Sequence, residues 1–196
     1  MKHRNILGLL GNILIIVSLL STGFIYAPLI RLLVIPPQPI KITDSSMPVL
    51  TIPKINASAP IIENVNPWDK EEYMQALTKG VAHARNTALP GENGTSFLFA
   101  HSSDLPWRLT RYNTIFLKLG NLEKGDEIVI TKEGIQLRYE VIEKKTVWPN
   151  EVNDLLNAQN SLNTLNSPTT QTLILQTCTP IGTDLRRLLI FATRIP

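Results

Sequence analysis

Residues 172–190 read Thr172-Leu173-Ile174-Leu175-Gln176-Thr177-Cys178-Thr179-Pro180-Ile181-Gly182-Thr183-Asp184-Leu185-Arg186-Arg187-Leu188-Leu189-Ile190. The run up to Thr177 has the length and the apolar content of a strand, and it leads straight into Cys178. Pro180 ends the ladder, because proline has no N–H to give to it, and Gly182 permits a turn. A second apolar run starts just after Arg186-Arg187. If the two runs pair antiparallel, the cysteine and the double arginine meet at one end of a sheet. Side chains alternate faces along a strand. One arginine therefore shares the face of Cys178 and its neighbour points away.

Outward from this segment the chain keeps the same texture. Val49–Ile55 and Ala57–Ile62 are short β-type runs that each carry a proline, which places them at edges or bends. Asp69–Lys79 reads as a short helix, with Pro67 before it and Gly80 after it. Ser96–His101 is an apolar strand that delivers a histidine to its end, whereas Gly80-Val81-Ala82-His83-Ala84 reads as a loop. Ile115–Leu119 is apolar without a decided period. Glu127–Thr131 and Ile135–Glu143 form a hairpin turned at Gly134, Glu151–Leu156 suits one or two helical turns, and Gln171–Thr177 and Leu188–Thr193 are the last strands. Many short strands with few helices predict a mainly β fold, a closed or nearly closed barrel.

The N-terminus is of another kind. Residues 5–30 carry no charge and are rich in Ile, Leu and Val, and about 20 such residues cross a hydrocarbon core. The stretch is longer than a signal-peptide core and no A-x-A site follows it, so it reads as an uncleaved signal anchor. Lys2, His3 and Arg4 precede it, which favours a cytoplasmic N-terminus although Arg31 lies close behind the span. The division expected is a cytoplasmic flank at 1–4, a transmembrane anchor at 5–30, a stiff Pro-rich stalk at 31–48 (Pro36-Pro37-Gln38-Pro39 at its heart) and an extracytoplasmic domain at 49–196. Residues 1–41 hold Lys2, Arg4, Arg31 and Lys41 and no acid; with those four of the 19 basic residues set aside, 15 face all 16 acidic ones. No basic patch is left to argue for nucleic acid.

Location changes the meaning of the single cysteine. An exported domain with one thiol cannot form an internal disulfide, so Cys178 is either a packed apolar group or a reactive one. An adjacent guanidinium favours a thiolate or a developing oxyanion and stays charged, so it supports charge but carries no proton. Proton transfer falls to a histidine. Of His3, His83 and His101, only His101 is delivered to a sheet end by a strand. Scattered histidines and one cysteine offer no metal-ligand spacing, and no cofactor is expected.

Taken together these residues resemble the sortase family of cysteine transpeptidases. The family's T-L-x-T-C strand end corresponds to Ile174-Leu175-Gln176-Thr177-Cys178, with Ile in place of the first Thr, and its T-P-x-G…R-L spacing corresponds to Thr179-Pro180, Gly182 and Arg187-Leu188. That alignment selects Arg187 over Arg186, which is left as a solvated surface charge. Upstream, Gly80-Val81-Ala82-His83, Ala88-Leu89-Pro90-Gly91 and Ala100-His101-Ser102 are similar to the family's G-V-A-H, A-L-P-G and G-H-S blocks, and Leu119 through Ile128 fits its L-x-x-L-x-x-G-D-x-I stretch. Each block alone is weak; their order and spacing are specific. The resemblance implies an eight-stranded barrel in which Cys178 attacks an LPXTG-like sorting signal and forms a thioester. An amine of cell-wall precursor or of a protein lysine then resolves it. It implies His101 as acid and base, Arg187 as the oxyanion or backbone support, and Thr177, Thr179, Ala100 and Ser102 in contact with substrate.

Bland readings attach to the other polar groups. Asp104 is expected to cap a turn, Trp68, Trp107 and Trp148 to pack or line a rim, and His83 to take no part in proton transfer. The chain stops at Pro196 without the C-terminal membrane segment common in pilus-building sortases, so single-protein anchoring is expected over pilus assembly. Two other classes compete: a thiol peptidase or peptidoglycan transpeptidase, which would lack the arginine on the next strand, and a tethered, non-catalytic peptide-binding barrel.

Overall fold

A computed structural model describes residues 2–34, 47–103, 112–157 and 171–196. The N-terminal part is one helix, α1 (Lys2–Val34). Within it Gly8–Ala27 is long and apolar enough to cross a membrane. At about 1.5 Å per residue those 20 residues match a hydrocarbon core. Helix continues to Val34, so residues 31–34, expected in the stalk, are helical. Residues 35–46 of that stalk, together with Asp104 and Trp107, lie outside the described residues.

The second part is an eight-stranded closed barrel, as expected. Its strands are β1 (Val49–Ile52), β2 (Ala57–Val65), β3 (Val81–Ala84), β4 (Gly94–Phe99), β5 (Glu127–Lys132), β6 (Ile135–Val147), β7 (Gln171–Thr179) and β8 (Arg186–Ile195). Their order around the barrel is β1-β2-β3-β4-β7-β8-β6-β5, closed by β1 against β5. Two neighbouring pairs are parallel, β2 with β3 and β4 with β7. Parallel neighbours need a crossover. The first is supplied by α2 (Lys70–Leu77), whose N-cap Asp69 accepts from Glu71 N and Glu72 N. Gly80 ends that crossover, where a Cβ would stand 2.2 Å from Pro60 O.

The residues explain the strands. Leu50, Ile52, Ile61, Leu98, Ile128, Ile130, Leu173, Leu175 and Ile190 fill the core, each at most 1% exposed. β7 is buried on both faces from Thr172 to Leu175, which is why it reads as a continuous apolar run and not as an alternation. The β5–β6 turn is Glu133-Gly134 with φ +51° and +81°, the double positive φ that a type I′ hairpin requires. β6 runs four residues beyond its expected end at Glu143, because Lys144–Val147 pair with Arg187–Ile190 of β8. Residues 151–157 form a short helix.

One expectation is corrected. His83 lies on a strand, β3, and not in a loop. Four residues buried on both faces between β2 and β4 carry no periodic signal, so only long-range pairing defines them.

Candidate active site

Cys178 sits on β7, and its Cα partner in the antiparallel β7–β8 ladder is Arg187; Thr179 faces Arg186. Residues directly opposite share a face, so Arg187 is the arginine on the cysteine's side. β4 reaches the same place from the other edge of β7. The parallel register pairs Phe99 with Gln176, and Ala100 N goes on to donate to Gln176 O at 3.1 Å. β4 ends at Phe99, and the segment that carries His101 runs on from there beside β7. Cys178 and Arg187 thus face each other across β7 and β8, and the segment that carries His101 leaves β4 on the other edge of β7.

Hydrogen bonds tie these segments together. Thr177 Oγ1 donates to Ala100 O at 2.8 Å within the core. Gly182 N, in the β7–β8 loop, donates to Ser103 Oγ at 2.8 Å, and Phe116 N donates to His101 O at 3.2 Å. The segment 100–103 is therefore fixed to β7 on one side and to the following turn on the other. Of the four residues expected to touch substrate, Thr179 is partly exposed, while Ala100, Ser102 and Thr177 are buried. The Thr177 hydroxyl is already engaged by Ala100 O, so that side chain braces the site.

The electrostatics are two-sided. Burial pushes the Cys178 thiol up, the Arg187 guanidinium opposes this, and Asp184 adds to the rise. Of these three influences, Arg187 is the one that favours the thiolate. Arg187 Nη1 donates to Asp184 O at 2.8 Å and Arg186 O at 3.3 Å, which anchors one edge of a guanidinium that has five N–H donors. Arg186, expected as a solvated charge, is half-buried with its guanidinium carbon 3.8 Å from the Trp148 ring centre. This cation–π stack ties the start of β8 to the end of β6, and nothing local in the sequence pairs positions 148 and 186.

His83 is 2% exposed. Asn64 N donates to its Nδ1 at 3.3 Å, so the proton sits on Nε2, which lies 3.0 Å from both Ala88 O and Thr87 Oγ1. Burial holds its pKa below the ordinary value. It is a neutral clamp between β2 and the loop after β3. Among the described residues no group of three or more His, Cys, Asp or Glu is placed to hold a metal ion.

Residues 50–195 match the Sortase domain family. Sortase D of Bacillus subtilis (strain 168) is 31% identical over 156 residues, covering 78% of this chain and 66% of that protein. This chain thus spans just under two thirds of that relative's length. Among solved structures, sortase C-1 from Actinomyces oris is 32% identical with a TM-score of 0.60, over 79% of this chain and 76% of that one. Sortase A from Corynebacterium diphtheriae is 28% identical with a TM-score of 0.60, over 77% and 61%. Likeness to both A- and C-type enzymes does not sort the chain among subclasses. A family match across nearly the whole barrel, on a fold that sets a lone cysteine opposite an arginine, leaves one assignment: the chain belongs to the sortase family, whose members are cysteine transpeptidases.

Proposed function

We propose that this chain is a membrane-anchored sortase in which Cys178, His101 and Arg187 do the chemistry. The observation that carries the reading is the pairing of Cys178 with Arg187 across β7 and β8, with the segment leading to His101 held to β7 by the bond from Thr177 Oγ1 to Ala100 O. The Cys178 sulfur, as thiolate, attacks the backbone carbonyl carbon of an LPXTG-like sorting signal. Arg187 steadies the tetrahedral oxyanion through charge and N–H donation. As the C–N bond breaks, His101 gives its proton to the leaving amine, and an acyl thioester remains on Cys178. An amine of cell-wall precursor or of a protein lysine then loses its proton to His101 and attacks the thioester. An amide forms and the thiolate is released. Burial disfavours the thiolate and Arg187 favours it. Thr177 holds the His101 segment against β7, and Thr179 meets the substrate.

The apolar span within α1 supports a location in the membrane. Residues 5–30 anchor the chain in the membrane with residues 1–4 on the cytoplasmic side, the stretch up to 48 acts as a stalk, and the barrel at 49–196 works outside. Its partners are exported proteins with a C-terminal sorting signal. No cofactor, metal ion or nucleic acid takes part.

The test is incubation of the full chain in detergent with LPXTG-type peptides and an amine such as triglycine. Mass spectrometry should find an acyl adduct on Cys178 and a ligated product, both absent in Cys178→Ala. Hydrolysis without ligation under excess amine would mean a thiol peptidase. No adduct across a broad peptide library would mean a binding module.

A further inference from the structure

The turn between β7 and β8 is held from outside as well as from within. Thr183 N and Thr183 Oγ1 both donate to Pro180 O, at 3.0 and 2.8 Å, and close a turn over Pro180–Thr183. Gly182 stands third in it with φ +84°, the place and the sign of φ that a type II turn gives to glycine. The closing bonds belong to Thr183, so the turn itself makes no use of the Gly182 N–H. That group donates at 2.8 Å to Ser103 Oγ, 79 positions away. One residue past the turn, Asp184 O accepts from Arg187 Nη1 at 2.8 Å.

Each end of the Ser103–Gly182 bond carries a group the chemistry needs. Ser103 lies two residues past His101, on a segment whose start is tied to β7 through Ala100. Gly182 lies two residues before Asp184, whose carbonyl anchors the guanidinium. A single hydroxyl thus links the segment of His101 to the loop that steadies Arg187. The bond stands in the open: residues 180–185 are exposed and Ser103 is partly so. Water can take over the Gly182 N–H when the hydroxyl is lost, so the bond adds little to stability. A water molecule does not set the distance between two loops, whereas the serine does. We propose that Ser103 is a positioning residue. Through Gly182 and Asp184 it keeps the Arg187 guanidinium at a fixed distance from the segment of His101, so that oxyanion support and proton transfer converge on one scissile amide.

The role rests on the transpeptidase reading, and the test keeps the two apart. Wild type, Ser103→Ala, Ser103→Thr, Arg187→Ala and the double alanine variant are prepared as the full chain in detergent. Ser103→Ala should lower kcat of transfer from an LPXTG-type peptide to triglycine about two- to tenfold, the range of one hydrogen bond, with KM unchanged and Tm close to wild type. Ser103→Thr keeps the hydroxyl and should keep the rate. Iodoacetamide reads the same displacement without any peptide. Ser103→Ala should move the pH profile of Cys178 alkylation to higher pH when Arg187 is present. It should leave the profile where it is in Arg187→Ala, because residues that act as a unit do not add. An unchanged kcat in Ser103→Ala, a raised KM with kcat intact, a collapse of Tm, or a Ser103→Thr as slow as Ser103→Ala would each overturn the proposal. So would an alkylation profile that Ser103→Ala leaves unmoved, or moves equally with and without Arg187. If wild type transfers no peptide, the transpeptidase reading falls, and the alkylation profiles still decide whether Ser103 governs Arg187.

Discussion

Replacing Arg187 by alanine separates catalysis from folding in this barrel. In the folded protein the guanidinium makes two local bonds, from Nη1 to Asp184 O and to Arg186 O. Each is worth roughly 0.5–1.5 kcal/mol net, and a chain of this size loses about 2–4 °C of Tm per kcal/mol. Arg187→Ala should therefore melt only a few degrees below wild type. On the proposed mechanism, the same group faces the oxyanion formed at Cys178 in the transition state. Loss of one such donor costs on the order of 10²–10³ in kcat, or ~2.7–4 kcal/mol. Removal also leaves burial and Asp184 both pushing the Cys178 thiol up without opposition. Iodoacetamide should then alkylate Cys178 more slowly at pH 7.5, and the pH profile of alkylation should move to higher pH. Arg186→Ala is the control, since it forfeits only the stack on Trp148, about 0.5–1 kcal/mol at such a site. The reasoning is refuted if Arg187→Ala keeps kcat within about fivefold of wild type, if alkylation is unchanged, or if Arg186→Ala is the more damaging of the two.

Three further outcomes follow from bonds away from the sulfur. Thr177→Val removes the donor to the buried Ala100 O, which should cost about 1–3 kcal/mol in thermal unfolding and lower kcat more than it changes KM. His83 has its pKa lowered below 6.5 by burial, so the fold favours the neutral ring. That stability is complete above the unfolded value and is lost as pH falls from about 6.5 toward the folded value; Tm should drop between pH 7.5 and 5.5, and His83→Gln should flatten that drop if it leaves the barrel folded. Tyr139→Phe deletes the hydroxyl that accepts from Gly91 N at 3.0 Å, in a residue 1% exposed, and should lower stability by about 1–3 kcal/mol in urea titration with little effect on kcat.

What could be read from the residues was what is local. The β7–β8 stretch states its own turn through Pro180 and Gly182, and an antiparallel pair then sets Cys178 against one of two arginines. The Glu133-Gly134 hairpin is legible for the same reason. The rest depends on pairings remote in sequence. β3 is too short to announce itself and exists because β2 and β4 flank it. The bond from Thr177 to Ala100 spans 77 positions, so no local signal announces that the hydroxyl next to Cys178 serves as a brace. Likewise Arg186 looks solvated until Trp148, at the end of β6, comes to lie under it.

The parallel contact of β4 with β7 bears on the order in which the protein matures. A chain emerging from its N-terminus presents β4 and His101 long before Gln171–Thr179 exist to sit beside them. Contacts of such sequence separation form late and slowly. The half-built barrel has a gap where its central strand belongs and no thiol, so it has no means of acylating itself or a passing peptide. In chain order β7 brings Cys178 beside β4 and β8 then sets Arg187 opposite it, so on the proposed mechanism competence waits for the last two strands.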